Sequence, residues 1–513
     1  MADKFYITTS IAYVNARPHI GFAMEVIQAD VLARYHRLRA DETFYLTGTD
    51  EHGMKLEQAA KDQGKTPQAM VDENAAYFQA LKRLLTLSND HFVRTTDENH
   101  MKGAKQLWEK MFDAGDIYKG SYEGLYCVGC EGFKTEKELV DGLCTLHKTP
   151  PDKLKEENYF FKLSKYSAEI KKRIESGQLL VLPDSRKHEI LAVLEEGLKD
   201  VSFSRPKKIL EWGIEVPNDP EQVMYVWCDA LSNYITGIGY GTDEEKFKKF
   251  WPADVHLIGK DILRFHAAIW IGMLLSAEID LPRAIYVHGF ITSEGQKMSK
   301  SLNNVVDPVG VVEQFGVDAL RYFLLKEIPT TDDGDFSQTR FKVVYDSELA
   351  DTYGNLVSRV LAMAHKYFEG KVPQVPKALM GEVEMYASKK EQFWKDYDAA
   401  IAKFDLKLAL ELAIASAMEA NQYVEVNKPW SLAKTDQERL ALVMYVLLEM
   451  IRVTSIALLP FIPTTAQKVL TYLGWGDVNT YADSRKWAQL KAGTELQKAE
   501  PLFPKVVEPV ASA

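Results

Sequence analysis

The first fifty residues constrain the fold most tightly. A strand-like run, Phe5-Tyr6-Ile7-Thr8-Thr9, leads into a stretch that puts Ile20, Met24, Ile27 and Val31 on one helical face. A second strand-like run follows at Thr43-Phe44-Tyr45-Leu46-Thr47. A strand, one helix and a second strand form a β-α-β unit, which requires a parallel sheet with right-handed crossovers. Ligands in such sheets bind beyond the carboxyl ends of the strands. The turn Gly48-Thr49-Asp50-Glu51-His52-Gly53 therefore faces the same crevice as the turn before the first helix, which holds His19.

That earlier turn, Pro18-His19-Ile20-Gly21-Phe22, suits an anion. A helix start offers unpaired N–H groups and a positive dipole end, Gly21 allows close approach, and His19 adds a donor. Far along the chain, Lys297-Met298-Ser299-Lys300-Ser301 follows Ser293-Glu294-Gly295-Gln296, a polar, glycine-containing loop expected to move. Lysines on a closing loop stabilise charge growing on the leaving oxygens of a triphosphate. Taken singly, the first segment also reads as a capped turn and the second as a solvated basic loop. Jointly they indicate an enzyme that uses ATP.

For both to serve one nucleotide, the sheet must be interrupted and resumed. From about residue 116 the regular alternation gives way to polar, proline-punctuated sequence such as Ser204-Arg205-Pro206-Lys207-Lys208, and strand signals return at Gln222 to Trp227 and Val255 to Gly259. After about residue 346 they largely vanish; Leu406, Leu410, Ala413, Ile414 and Ala417 mark a helical face, and Leu442 to Ile456 is apolar nearly all round. The fold class expected is α/β: a split Rossmann-like doubly wound parallel sheet (1–115 and 222–285) with an inserted zinc-binding connective domain (116–221). A lysine-loop region (286–345), a C-terminal α-helical bundle (346–495) and a tail (496–513) complete it.

The zinc follows from the cysteines. Cys127-x-x-Cys130 and Cys144-x-x-His147 are two chelating pairs separated by a loop long enough to bring them together. Four protein ligands leave no open position for water, so the metal is structural. Cys228, in the apolar run Met224 to Leu231, reads as a packed thiol. A net charge of −11 gives no support to a nucleic-acid partner, although Arg205, Lys207 and Lys208 offer a local basic patch. No cleavable signal precedes the first strand, and the apolar stretch Ala441 to Leu448 is cut short by Glu449 and Arg452, so a soluble, cytoplasmic protein without a membrane span is expected.

The two phosphate segments together resemble the signatures of class I aminoacyl-tRNA synthetases, the second letter for letter. Ser10-Ile11-Ala12-Tyr13, Gly48 to Gly53, Tyr225-Val226-Trp227-Cys228-Asp229-Ala230 and Gly259-Lys260-Asp261-Ile262 resemble, in order, segments of the methionyl-tRNA synthetase family, in its bacterial subtype with a single zinc knuckle. The resemblance implies activation of L-methionine by ATP with Mg2+, then transfer to elongator and initiator tRNA(Met). It assigns catalysis to His19, Lys297 and Lys300, and ATP contacts to these with Gly21 and Ser299. Asp50 would bind the substrate ammonium, and Ile11, Tyr13, Trp227, Leu231, Tyr234, Phe265 and His266 would surround the thioether. Asn355, Arg359 and Trp430 match the family's anticodon readers, consistent with stacking on unpaired bases.

Two positions depart from the family pattern. Phe22 stands where its first signature ends in histidine, and Leu231 where some relatives carry proline. Phe22 alone supports a rival reading, a degenerate relative that binds tRNA without making adenylate. The cysteine enzyme, which grips its substrate with zinc, is disfavoured because no cysteine lies near His19; the isoleucine, leucine and valine enzymes carry a much larger insertion. With no further domain recognised after the bundle, a monomer is expected.

Overall fold

The computed structural model describes residues 3–127, 132–134, 139–145, 148–298 and 306–505. Its centre is an all-parallel sheet of β1 (Lys4–Thr9), β2 (Ala12–Tyr13), β3 (Glu42–Asp50), β4 (His91–Arg94), β5 (Leu180–Leu182), β6 (Val255–Gly259) and β7 (Ala284–His288). The spatial order is β5-β7-β6-β1-β3, with β2 and β4 both paired to β3. Helix α1 (Ile20–Leu38) crosses from β1 to β3, whose register runs from Lys4↔Glu42 to Thr8↔Leu46. The chain winds from β1 outward through β3 and β4, then returns on the other side through β6 and β7. The topological switch point, where a crevice opens, thus lies between the carboxyl ends of β1 and β6.

Two sequence expectations need correction. The run Gln222 to Trp227 does not resume the parallel sheet. Its first part belongs to the strand Asp219–Met224, which pairs antiparallel with Ser204–Pro206 and Glu215–Val216, and a helix, Val226–Leu231, begins directly after it. Apolar alternation marks a strand but does not say which sheet it joins. The short strand β5, inside the range read as insertion, is the one that joins the edge of the parallel sheet, pairing with β7 through Leu180↔Ala284 and Leu182↔Tyr286. Of the expected basic patch, two residues are engaged and Lys208 alone is exposed. Arg205 is buried between the rings of Tyr126 and Tyr225 and donates to Ser202 Oγ and Ser204 O, while Lys207 pairs with Glu215.

The bundle follows its pattern closely. Leu406, Leu410, Ala413, Ile414 and Ala417 are all buried in the helix Leu406–Asn427. The helix Gln437–Leu458 is long and apolar enough to cross a bilayer, yet it is enclosed by protein. Glu449 and Arg452, the charges that interrupt it, form a fully buried pair at 2.7 Å. Glu449 also accepts from the N–H groups of Ala488 and Leu490, and Arg452 donates to the carbonyls of Ser484 and Lys486. The pair thereby fastens the segment beyond the bundle helices, satisfying backbone groups that would otherwise be buried unpaired.

Helix α1 is nearly surrounded, because one apolar cluster runs from its residues into the bundle. Inside that cluster sits a second buried pair: Arg321, in the helix Val317–Lys326, meets Asp30 at 2.8 Å with both side chains fully buried. Arg321 also donates to the carbonyls of Leu85, Pro460 and Phe461. Breaking a buried pair by removing one partner costs about 3–5 kcal/mol, since a charge is left uncompensated. Arg321→Met is therefore expected to lower unfolding free energy by about that amount in urea titration. Lys171→Met, which breaks the exposed 3.0 Å pair with Glu195, is expected to leave the urea midpoint almost unchanged.

Candidate active site

At the phosphate end, His19 is the N-cap of α1, in extended conformation. Its Nδ1 accepts the Gly21 N–H at 3.1 Å, so the ring proton resides on Nε2, where it is available to an anion. Surrounding protein lowers the His19 pKa below the ordinary histidine value although the residue keeps solvent contact, so the ring is a neutral donor at neutral pH. A Cβ on residue 21 would lie 2.9 Å from His19 Cε1, so glycine is what lets the imidazole fold over the helix start. Phe22 turns to the helix Pro67–Leu84, where its ring meets Phe78 edge-on at 5.3 Å.

The approach to the lysine segment, read from the sequence as a polar loop, forms a hairpin. Ile291–Ser293 and Gln296–Lys297 pair across it, with φ of 49° at Glu294 and 73° at Gly295, the two left-handed positions of a tight turn. Asp335 pins it, accepting from Gly295 N at 2.7 Å and Thr292 Oγ1 at 2.6 Å. Beyond it, Met298 packs on the cluster that also takes Phe22 and Val306, and Val306 O accepts the Ile20 N–H at 3.2 Å. The chain on the far side of the lysines thus touches the start of α1. The Lys297 side chain and all of Ser299 and Lys300 lie outside the described residues.

The residues expected around the thioether share one apolar region. Leu231 and Tyr234 are buried in its core, with Ile11, Tyr13, Trp227 and Phe265 half-buried against them. Trp227 and Phe265 stack at 3.8 Å and 9°. A π-helical turn, Phe265–Trp270, presents Phe265 and His266 together, and such wide turns recur at functional sites. His266 Nδ1 donates to Ile262 O at 2.9 Å, which leaves Nε2 to accept the Tyr234 hydroxyl at 2.7 Å. Burial pushes the His266 pKa down to about 4, so this imidazole is neutral. Asp50, buried at the carboxyl end of β3, stands opposite Tyr13 in the β2–β3 register.

Several carboxylates that sequence reasoning did not single out hold this crevice. Glu25 of α1 accepts from Ser10 N and Oγ, each at 2.6 Å, and meets His288 Nε2 at 2.9 Å. Burial alone would lower the His288 pKa, but Glu25 and the Gly289 carbonyl outweigh it and raise it, making a buried ion pair between α1 and the end of β7. Glu51 takes Arg94 through both oxygens, at 2.7 and 2.8 Å. Asp229 binds His52 Nδ1 at 2.6 Å. Glu51 and Asp229 lie in segments noted in the sequence, Gly48 to Gly53 and Tyr225 to Ala230, but nothing there marked their distant partners.

The remaining calls lie away from the crevice. Cys127 ends the strand Ile117–Cys127 and Cys144 lies in Leu143–Cys144; both are buried, while Cys130 and His147 lie outside the described residues. Backbone bonds from Lys148 N to Cys144 O and from Cys144 N to Thr149 O fold the chain back at the second pair. In the bundle, Asn355 is exposed at the start of Asn355–Phe368, and Arg359 one turn on bonds Glu425 at 2.9 Å. Trp430, 40% exposed, opens the helix Pro429–Thr435, which packs on Asn355–Phe368.

A histidine-capped helix start, touched by the chain at Val306, and a cluster of aromatic residues thus stand on a split parallel sheet, the arrangement of a class I aminoacyl-tRNA synthetase. Residues 5–145 and 132–361 match the family described as tRNA synthetases class I (M), and residues 372–511 match the anticodon binding domain of methionyl tRNA ligase. The methionine–tRNA ligase of Thermotoga maritima is 44% identical over 511 residues, covering 98% of this chain and 80% of the relative. That of Rhizobium meliloti is 42% identical over 522 residues, covering 99% of each. The crystal structure of Mycobacterium tuberculosis methionyl-tRNA synthetase bound by methionyl-adenylate aligns at a TM-score of 0.92 with 39% identity, covering 98% of this chain and 100% of that one. The chain belongs to the methionine–tRNA ligases, enzymes that join methionine to tRNA with ATP.

The buried histidines predict the acid behaviour of the fold. His266 titrates at 6.5 when unfolded and about 4 when folded, so between these values the unfolded chain binds a proton that the folded one refuses. Stability therefore falls as pH drops through that window, by about 3 kcal/mol for this group. Fully buried His256 acts in the same direction. His288, whose pKa is raised, acts oppositely: its stabilisation is complete below 6.5 and is lost as pH rises through the folded value. Urea titrations from pH 7 to 4.5 are expected to show a shallower acid loss for His266→Asn than for the parent.

Proposed function

We propose that the crevice between β1 and β6 makes methionyl-adenylate and that the bundle selects tRNA(Met), elongator and initiator alike. The observation that carries this reading is the Trp227–Phe265 stack beside the Tyr234–His266 hydrogen bond, a half-buried aromatic face with a neutral polar end. A flexible, polarisable thioether packs well on such faces. Asp50 would take the ammonium, leaving the carboxylate directed to the nucleotide.

A methionine carboxylate oxygen attacks the α-phosphorus, the bond to the bridging oxygen breaks, and pyrophosphate departs. The terminal ribose hydroxyl of tRNA then attacks the activated carbonyl and AMP leaves. His19 Nε2–H, the α1 dipole, Lys297 and Lys300 would stabilise the charge that develops on phosphate, with Ser299 and the Gly21 backbone completing the ATP contacts. Mg2+ accompanies ATP as part of the substrate. Activity with Phe22 is consistent with His19 and the helix start still providing donors. Asn355, Arg359 and Trp430 would read the CAU anticodon.

Cys127, Cys130, Cys144 and His147 would hold a structural zinc. Two buried thiols, Cys127 on one antiparallel sheet and Cys144 on a separate two-stranded one, suit it, and the bound metal would supply a tetrahedral cross-link where apolar side chains are few. The cytoplasm as location and a monomeric state complete the proposal.

Asp50→Asn is expected to raise the KM for methionine in ATP–pyrophosphate exchange at least about 30-fold, as loss of a buried charge partner costs about 2 kcal/mol or more. An unchanged KM would remove Asp50 from the site. Trp430→Ala is expected to lower kcat/KM for tRNA charging by about 10- to 100-fold through lost stacking, and to narrow the gap between CAU and altered-anticodon tRNAs. Metal analysis is expected to find one zinc per chain, lost in Cys144→Ser.

A further inference from the structure

Asp229 is almost wholly buried, at 1% exposure, and is used by none of the roles above. Its Oδ2 meets His52 Nδ1 at 2.6 Å and its Oδ1 meets His100 Nε2 at 2.7 Å, while His100 Nδ1 meets Thr236 Oγ1 at 2.8 Å. Burial would raise the Asp229 pKa, but the two histidines outweigh it, so the carboxylate stays ionised. The three partners come from three elements. His52 lies in the turn that carries Asp50, Asp229 in the helix Val226–Leu231 that carries Trp227, and His100 in the helix Glu98–Asp113.

We propose that His100 is a positioning residue for methionine, acting through Asp229 to fix the Asp50 turn against the Trp227 helix. The inference rests on the methionine-site reading given above. Asp229 is held through both oxygens, and a carboxylate bound at one oxygen alone can rotate about its side chain. With His100 present, rotation would break a second buried bond, so His52 and its turn keep one position. With His100 removed, Oδ1 is left buried without compensation, and the Asp50 turn shifts relative to the aromatic stack. The bound state should suffer more than turnover, because His100 touches neither phosphate nor slot.

A cavity of about 280 Å³ adjoins the far end of this network, lined in part by His91, Asp97, Glu98, His100 and Thr236 and partly open to solvent. An external imidazole can therefore reach the place of a deleted His100 ring.

In the full-length enzyme, His100→Ala is expected to raise the KM for methionine in ATP–pyrophosphate exchange about tenfold, the effect of one lost buried hydrogen bond. Over the same change, kcat should move less than about threefold and the KM for ATP should hold. Added imidazole should restore the KM, and His100→Gln, whose amide can still donate to Asp229, should retain it. If the alanine variant does not fold, His100→Gln against His100→Asn carries the test, since the shorter amide should raise the KM and the longer one should not. An unmoved KM, or kcat and KM impaired together with no imidazole rescue, overturns the proposal. If Asp50→Asn raises the KM while His100→Ala does not, the positioning role alone fails. If Asp50→Asn has no effect, the methionine-site reading fails and this inference with it.

Discussion

The buried ion pair between Asp30 and Arg321 fixes the one helix on which both ends of this molecule depend. Arg321 reaches four backbone or side-chain acceptors from three parts of the chain, so α1 cannot shift without disturbing the loop after Leu85 and the Pro460–Phe461 corner of the bundle. The same helix carries Glu25 one and a half turns nearer its start and His19 at its cap. The fully buried Asp30–Arg321 contact joins α1 to the Pro460–Phe461 corner of the bundle, beside the apolar cluster they share and the Tyr35 hydroxyl's bond to Asp398. That contact is electrostatically costly to form and stiff once formed, which favours a defined geometry over added stability.

A common device appears around the crevice. Glu25, Glu51 and Asp229 are all buried, and each joins elements from different parts of the fold: α1 to the ends of β1 and β7, the β3 turn to β4, and the β3 turn to two later helices. Parallel strands end in loops with unpaired groups, and these carboxylates tie the loop ends to one another. The site's reactive groups sit on such loops, so their precision derives from these ties rather than from the sheet's own hydrogen bonds. A preorganised site of this kind lowers the reorganisation needed when charge develops.

Much of this was legible in the sequence because it is periodic or local. The β1-α1-β3 unit, the apolar bundle faces and the turn carrying Asp50 each announce themselves within a short window. What was hidden depends on distant pairing. Asp229 and His100 are 129 positions apart, Glu25 and His288 263, and nothing in either local pattern marks them as partners. The three-residue β5 is too short for periodicity to signal, and Arg205 looked like a surface charge because only tertiary structure supplies the two tyrosine rings around it. At Glu294-Gly295 glycine and polar residues mark the turn, while its tie to Asp335, forty residues away, left no local sign.

Phe22 shows how a departure from a family pattern can be absorbed physically. A histidine there would face a crowded wall, since the position packs beside Phe78 and shares an apolar cluster with Met298 and Val306. An aromatic hydrocarbon gains contact at that wall and loses one donor. The loss falls on a site that keeps the N–H groups of the helix start and the Nε2–H of a histidine whose tautomer is fixed by its own cap. Position 22 then contributes apolar packing beside the start of α1 in place of a donor.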